Sequence, residues 1–216
     1  KKVAVNLHYL GKSATRALVK DDPKLLLKAL KKYGRINRVE ATFFEDLNTE
    51  DERRTWLYKK ENGGIWMDWG PHPSAILVNQ CGATFQKCVN AELFIVRPEY
   101  HPVYPTGILA DFKIQGENFS TNSIASIRVA KGLAAGVTTK KLRFYFEKDA
   151  YLEVQYSGTE AEYEYQLMGN ISLVEETDDE RRIVEIWQPT KRMPREIFIE
   201  EIVKMIEGGD PPQSLD

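Results

Sequence analysis

From Thr84 onward the chain offers strand after strand with no helical pattern between them, and this constrains its fold more than any other feature. Residues 85–96, 107–115, 124–130, 142–146, 151–156, 163–168 and 183–187 are rich in β-branched and aromatic side chains, and glycine, asparagine or acidic clusters separate them. Consecutive strands without intervening helices pair as antiparallel neighbours, so a large, mostly antiparallel sheet is expected. Several segments alternate polar with apolar residues, as in Leu142-Arg143-Phe144-Tyr145-Phe146-Glu147 and Tyr151-Leu152-Glu153-Val154-Gln155-Tyr156. One face of the sheet is then buried, and the other carries charge and tyrosine. An open face bearing Tyr151, Tyr156, Tyr163 and Tyr165 has two readings: a subunit interface, since tyrosine is enriched in such contacts, or a solvated face with scattered aromatics.

The first third of the chain is different. Residues 3–10 alternate like a strand that Gly11 breaks, and a helical pattern follows from Ser13 through Ala14, Ala17 and Leu18. Asp21-Asp22-Pro23 restarts the helix, Leu25, Leu26, Ala29 and Leu30 continue it, and Gly34 stops it. Residues 36–44 read as a strand, residues 45–61 as a long polar connector holding Trp56 and Tyr58, and residues 74–80 as a buried helix closed by Gly82. A last helix opens at Pro194, with Ile197, Phe198, Ile202, Val203 and Ile206 on its apolar side, and ends at Gly208-Gly209. The fold class is therefore α+β, a large open sheet with helices on one face.

Chemistry concentrates in Gly63-Gly64-Ile65-Trp66-Met67-Asp68-Trp69-Gly70-Pro71-His72, where a carboxylate and an imidazole stand four residues apart. Histidine titrates between pH 5 and 8, and a positioned carboxylate beside it can fix its tautomer and tune its proton affinity. Asp68 also suits another role, capping the backbone N–H groups of a helix that Pro71 begins; spacing alone favours the cap.

Composition narrows the partners. The 216 residues carry 30 basic and 32 acidic side chains, a formal net charge of -2, which provides no whole-molecule field to recruit nucleic acid or acidic lipid. No apolar run approaches the roughly 20 residues needed to cross a bilayer, and no secretory signal pattern is present. Cys81 and Cys88 are too few for a disulfide framework and lack zinc-ligand spacing, so reduced thiols and a cytoplasmic location are expected. No Gly-x-Gly-x-x-Gly follows a strand, and neither a P-loop nor a metal-ligand cluster occurs.

The segment from Gly63 to His72 resembles the Gly-Gly-Gly-x-x-x-Asp-x-Gly-x-His segment of the glucose-fructose oxidoreductase and inositol dehydrogenase family. Two flanking stretches are similar as well: Tyr33-Gly34-Arg35-Ile36-Asn37-Arg38-Val39, where a helix closes and the first sheet strand begins, and the run from Phe198 to Ser214 with its Gly208, Pro211 and Ser214. The resemblance implies a two-domain oxidoreductase: an N-terminal Rossmann domain that holds NAD or NADP, and a C-terminal α+β domain whose open sheet mediates homo-oligomers. Residues 1–216 look like that second domain, lacking the Rossmann domain, which accounts for the missing glycine fingerprint. The family's lysine in a Glu-Lys-Pro motif has no counterpart in this sequence. Carried over, the resemblance makes His72 the group that exchanges a proton with the substrate hydroxyl during hydride transfer, and Asp68 its substrate-contacting neighbour. Many relatives place an aspartate three residues after the histidine; here that position is Ala75.

At the N-terminus, His8-Tyr9-Leu10-Gly11-Lys12 is similar to the His-Tyr-Leu-Gly-Lys segment of glucose-6-phosphate dehydrogenases, although Leu7 replaces an acidic residue of that family. The similarity implies a substrate site for a sugar phosphate at His8, Tyr9 and Lys12, whose donors and positive charge suit a phosphate dianion. The alternative is that His8 and Tyr9 pack between domains. The expected function is the substrate-binding and catalytic half of an NAD(P)-dependent sugar or polyol dehydrogenase; a noncatalytic sugar-sensing or scaffold protein of the same fold is the alternative.

Overall fold

The computed structural model describes residues 13–20, 24–46, 64–95, 106–133, 138–156, 170–188, 203 and 207. Among the described residues, four helices and eight strands run in the order α1 (Ser13–Val19), α2 (Leu25–Tyr33), β1 (Ile36–Asp46), α3 (Gly64–Trp69), α4 (Pro71–Cys81), β2 (Thr84–Phe94), β3 (Gly107–Gln115), β4 (Phe119–Leu133), β5 (Thr139–Phe146), β6 (Ala150–Gln155), β7 (Asn170–Glu176) and β8 (Arg181–Trp187). The strands form one open sheet in the order β2-β3-β4-β1-β5-β6-β7-β8. Every neighbouring pair is antiparallel except β1 and β4, which run parallel at its centre. No helix among the described residues is long and apolar enough to cross a membrane.

Period-two alternation explains the layering. Val39, Ala41 and Phe43 of β1, Ala125, Ile127 and Val129 of β4, Leu142, Phe144 and Phe146 of β5, and Leu152 and Val154 of β6 are buried in one core with Ala14, Ala17 and Leu18 of α1 and Leu25, Leu26 and Ala29 of α2. Ile76 and Leu77 of α4 complete that layer. The helices end where glycine permits it. Gly82 adopts φ 69°, a left-handed conformation that costs glycine little, and its N–H reaches Val78 O at 3.1 Å while Ala83 N–H reaches Leu77 O at 2.9 Å. Gly34, at φ 87°, similarly closes α2.

The opposite face is polar. Glu40 accepts a hydrogen bond from Tyr145 Oη at 2.9 Å, the Arg38 guanidinium lies 4.1 Å from the centre of the Tyr145 ring, and Arg143 pairs with Glu153. The tyrosines divide differently from the sequence expectation. Residues an odd number apart in a strand point to opposite faces, so Tyr151 and Tyr156 cannot share one. Tyr156 lies beneath α1, bonded to Thr15, and Tyr151 is buried on the polar face against Tyr145, Arg143 and Arg181. Tyr163 and Tyr165 lie outside the described residues, as do the 163–168 strand, the strand at 3–10, most of the 45–61 connector and all but two residues of the final helix. The structure adds β7, which pairs β6 with β8.

Candidate active site

The apolar rows of the central strands do not run to their ends. After Val39, Ala41 and Phe43 the next residue on that face of β1 is Glu45; after Ala125, Ile127 and Val129, that of β4 is Lys131. The parallel register sets Glu45 directly beside Lys131, and in the antiparallel pairing with β5 Phe43 faces Lys140. Three charged residues thus stand at the carboxyl ends of the parallel pair, under the helical layer.

Helices α3 and α4 supply the rest. Gly70 joins them in right-handed helical conformation, its N–H bonding to Trp66 O at 2.8 Å, while Ser74 N–H bonds to Gly70 O at 3.3 Å. The two helices therefore continue into one another, and Asp68 and His72 lie one turn apart. Glycine is needed at the junction for space: a Cβ there would sit 2.6 Å from Trp66 O and 2.7 Å from its indole. The expected cap does not form. Gly70 holds the N-cap position of α4 and no side chain caps it, since Asp68 sits within α3 and its carboxylate turns to the sheet.

There Asp68 Oδ2 lies 3.1 Å from Lys131 Nζ. The same ammonium lies 3.1 Å from Glu45 Oε2, and Lys140 Nζ lies 2.9 Å from Glu45 Oε1. The Lys131 side chain is 2% exposed, against 26% for Asp68, so the carboxylate forms the outer rim of the cluster and the lysine its floor. An ammonium taken out of water at such a depth requires carboxylate partners, and among the described residues Glu45 and Asp68 converge on it. Burial pushes the Glu45 carboxyl up, but Lys140 and Lys131 more than offset this and hold it below its ordinary range.

Trp69 is the cluster's apolar wall. Its ring packs 5.9 Å from that of Phe43, 5.6 Å from the His72 imidazole, 4.5 Å from Lys140 Nζ and 5.6 Å from Lys131 Nζ. His72 is partly exposed at the first turn of α4. Two carboxylates, two ammonium groups, an imidazole and an indole surface suit a hydroxyl-rich, uncharged ligand and a proton transfer to or from it. A cavity of about 830 Å³ opens instead at the other end of β1, beside Asn37, Arg38, Tyr145 and Tyr151. Its carboxylates, Asp149, Glu176 and Asp178, are exposed, unlike the carboxylates and ammonium groups of the buried cluster.

Of the residues singled out in sequence, Asp68 and His72 fall together in this cluster, whereas His8, Tyr9 and Lys12 lie outside the described residues. Glu45, Lys131 and Lys140 were not foreseen. Each nonetheless bears a readable mark, a charge in phase with an apolar row two, four and six residues away.

No protein-family model matches the sequence, and no curated protein matches it. Solved structures do share the fold. A protein structure from Erwinia carotovora atroseptica superposes with a TM-score of 0.69 at 17% identity, over 99% of this chain and 59% of its own. Levoglucosan dehydrogenase in complex with NADH and levoglucosan gives 0.60 at 16%, covering 99% and 51%. The super-repressor mutant of Gal80p from Saccharomyces cerevisiae gives 0.63 at 12%, covering 99% and 54%. The chain thus spans somewhat more than half the length of these structures. Over nearly all of its own length, it has the fold found in oxidoreductases of the glucose-fructose oxidoreductase and inositol dehydrogenase type.

Proposed function

We propose that this chain is the substrate-binding half of an NAD(P)-dependent sugar or polyol dehydrogenase, with His72 exchanging the proton of the reacting hydroxyl and Asp68 contacting the substrate. One observation carries the reading: Asp68 and His72 stand one turn apart where α3 meets α4, above a buried lysine that grips the Asp68 carboxylate at 3.1 Å. Oxidation of an alcohol releases a proton as well as a hydride. An imidazole is suited to accept the proton, and the Trp69 ring packs beside that of His72, 5.6 Å between centroids and tilted by 60°. Asp68, oriented by Lys131, is placed to accept a hydrogen bond from a neighbouring substrate hydroxyl.

The described residues do not fit a nicotinamide dinucleotide by themselves. Among the described residues, Gly34 and Gly82 close helices, Gly116 turns the chain between β3 and β4, and Gly64 opens a helix of only six residues without the Gly-x-Gly-x-x-Gly spacing of a pyrophosphate cradle. Cofactor binding is therefore assigned to a separate Rossmann domain, with residues 1–216 as the substrate and oligomerisation domain.

The intact protein, assayed with NAD and NADP against a panel of aldoses and polyols, tests this. His72→Ala should lower turnover by about 100-fold to 10,000-fold while cofactor affinity stays near that of the parent. Unchanged turnover would remove His72 from the chemistry. The likeness to the super-repressor mutant of Gal80p, which is not named as an oxidoreductase, favours a second reading, a noncatalytic sugar-sensing protein. Sugar binding by calorimetry without turnover on any panel member would select it.

A further inference from the structure

We infer that Lys131 is the positioning residue of this site: its buried ammonium draws the Asp68 and Glu45 carboxylates to one point and sets the charge that His72 faces. The inference deepens the proposed dehydrogenase reading and rests on it for its meaning in catalysis. It begins with an anomaly of pattern. Lys131 continues the buried row Ala125, Ile127, Val129, where packing alone calls for another aliphatic side chain. Replacing a buried ion pair by apolar residues of similar volume is often neutral or stabilising, so stability is a weak reason for a lysine there.

Nor is Lys131 required to compensate Glu45, which Lys140 already pairs at 2.9 Å from the other side. What Lys131 alone adds is a grip on Asp68, across the gap between the sheet and α3. Glu45 comes from β1, Lys131 from β4, Lys140 from β5 and Asp68 from α3, and among these four described residues two positive charges face two negative ones. Removing Lys131 makes the site more negative by one charge. The His72 ring and the Lys131 ammonium each lie 5.6 Å from the Trp69 ring. They are thus within about 11 Å of one another, near the distance over which charges interact through physiological salt.

The test uses the intact protein and the titration midpoint of the His72 ring by NMR, assigned by comparison with His72→Gln. Lys131→Met should raise that midpoint by about half a pH unit, because the uncompensated carboxylate favours the imidazolium. Lys131→Arg should leave it within about 0.2 unit, the charge being kept. Glu45→Gln combined with Lys131→Met restores the parent's charge and should return the midpoint to that of the parent; should the single Met variant not fold, this double variant and Lys131→Arg carry the comparison. Where turnover is measurable, Lys131→Met should lower kcat by about 10-fold or more, and Lys131→Arg should recover most of it. A folded Lys131→Met protein with an unmoved midpoint would overturn the inference, as would a midpoint in the double variant that departs from the parent's. The titration needs no dehydrogenase activity, so failure of the proposed function and failure of this inference are read separately.

Discussion

Removing the phenol oxygen of Tyr156 probes how the helical layer is fastened over the site. Tyr156 Oη and Thr15 Oγ1 lie 2.6 Å apart, and the two residues are 2% and 0% exposed. Burial pushes the phenol above its ordinary range, so the bond joins two neutral hydroxyls at any pH at which the protein is handled. In Tyr156→Phe the ring remains against Phe43, 6.2 Å between centroids, while the Thr15 hydroxyl loses this partner in a place closed to solvent. Leaving a buried hydroxyl without its partner costs about 1 to 3 kcal/mol, whereas removing both partners for apolar groups of like shape costs little more. Thr15→Val should also be destabilising, since it takes the same bond away from Tyr156 Oη. The double variant should then be more stable than the sum of the singles implies, by about 1 kcal/mol or more. For a domain of this size a 2 kcal/mol loss lowers Tm by about 4 to 8 °C. Urea unfolding of the four proteins, with equal m values, measures the cycle. Strictly additive losses, or singles as stable as the parent, would show that this hydrogen bond does not tie α1 to β6.

Other consequences concern neighbouring features. The Tyr33 hydroxyl, Lys32 and Arg182 hold the Glu175 carboxyl at about 2, below its unfolded value, so its stabilisation is complete above the ordinary carboxylate range and is lost as pH falls from about 4.5 toward 2. Glu175→Gln should flatten the acid limb of a stability-against-pH curve in that window, and an unchanged slope would refute the assignment. Burial raises the Cys81 thiol to about 12 while Cys88 is exposed, so an alkylating reagent should modify one thiol in the native protein and two after denaturation. Gly70→Ala meets no backbone strain at φ −58° but drives a methyl group into Trp66, and should cost about 1 to 3 kcal/mol with a change in tryptophan emission.

Much of the fold was legible because its core follows simple periods. The expected strand at 107–115 coincides with β3, the helix at 74–80 falls inside α4, and Gly34 and Gly82 end helices at positive φ, as glycine allows. Asn170–Glu176 escaped because its apolar core, Ile171, Leu173 and Val174, is short and lies between polar ends. The expected tyrosine face fails on parity, since Tyr151 and Tyr156 are an odd number of residues apart and point to opposite sides of the sheet. At the site, Asp68 and His72 were legible as a local pair, but spacing pointed to a cap because it cannot show where a carboxylate turns. Its partner is 63 residues away in sequence, on a strand whose pairing with β1 is parallel and nonlocal. What the sequence does carry is the phase of Glu45, Lys131 and Lys140 within their strands, which places all three beneath the helices before any contact is known.

The central claim is that His72 carries the hydroxyl proton, and the pH dependence of kcat/KM for alcohol oxidation by the intact protein tests it most directly. The account predicts that activity falls on the acid side with an inflection between pH 5 and 8, and that His72→Ala abolishes the inflection along with most of the rate. The same inflection surviving in the His72→Ala protein would contradict it.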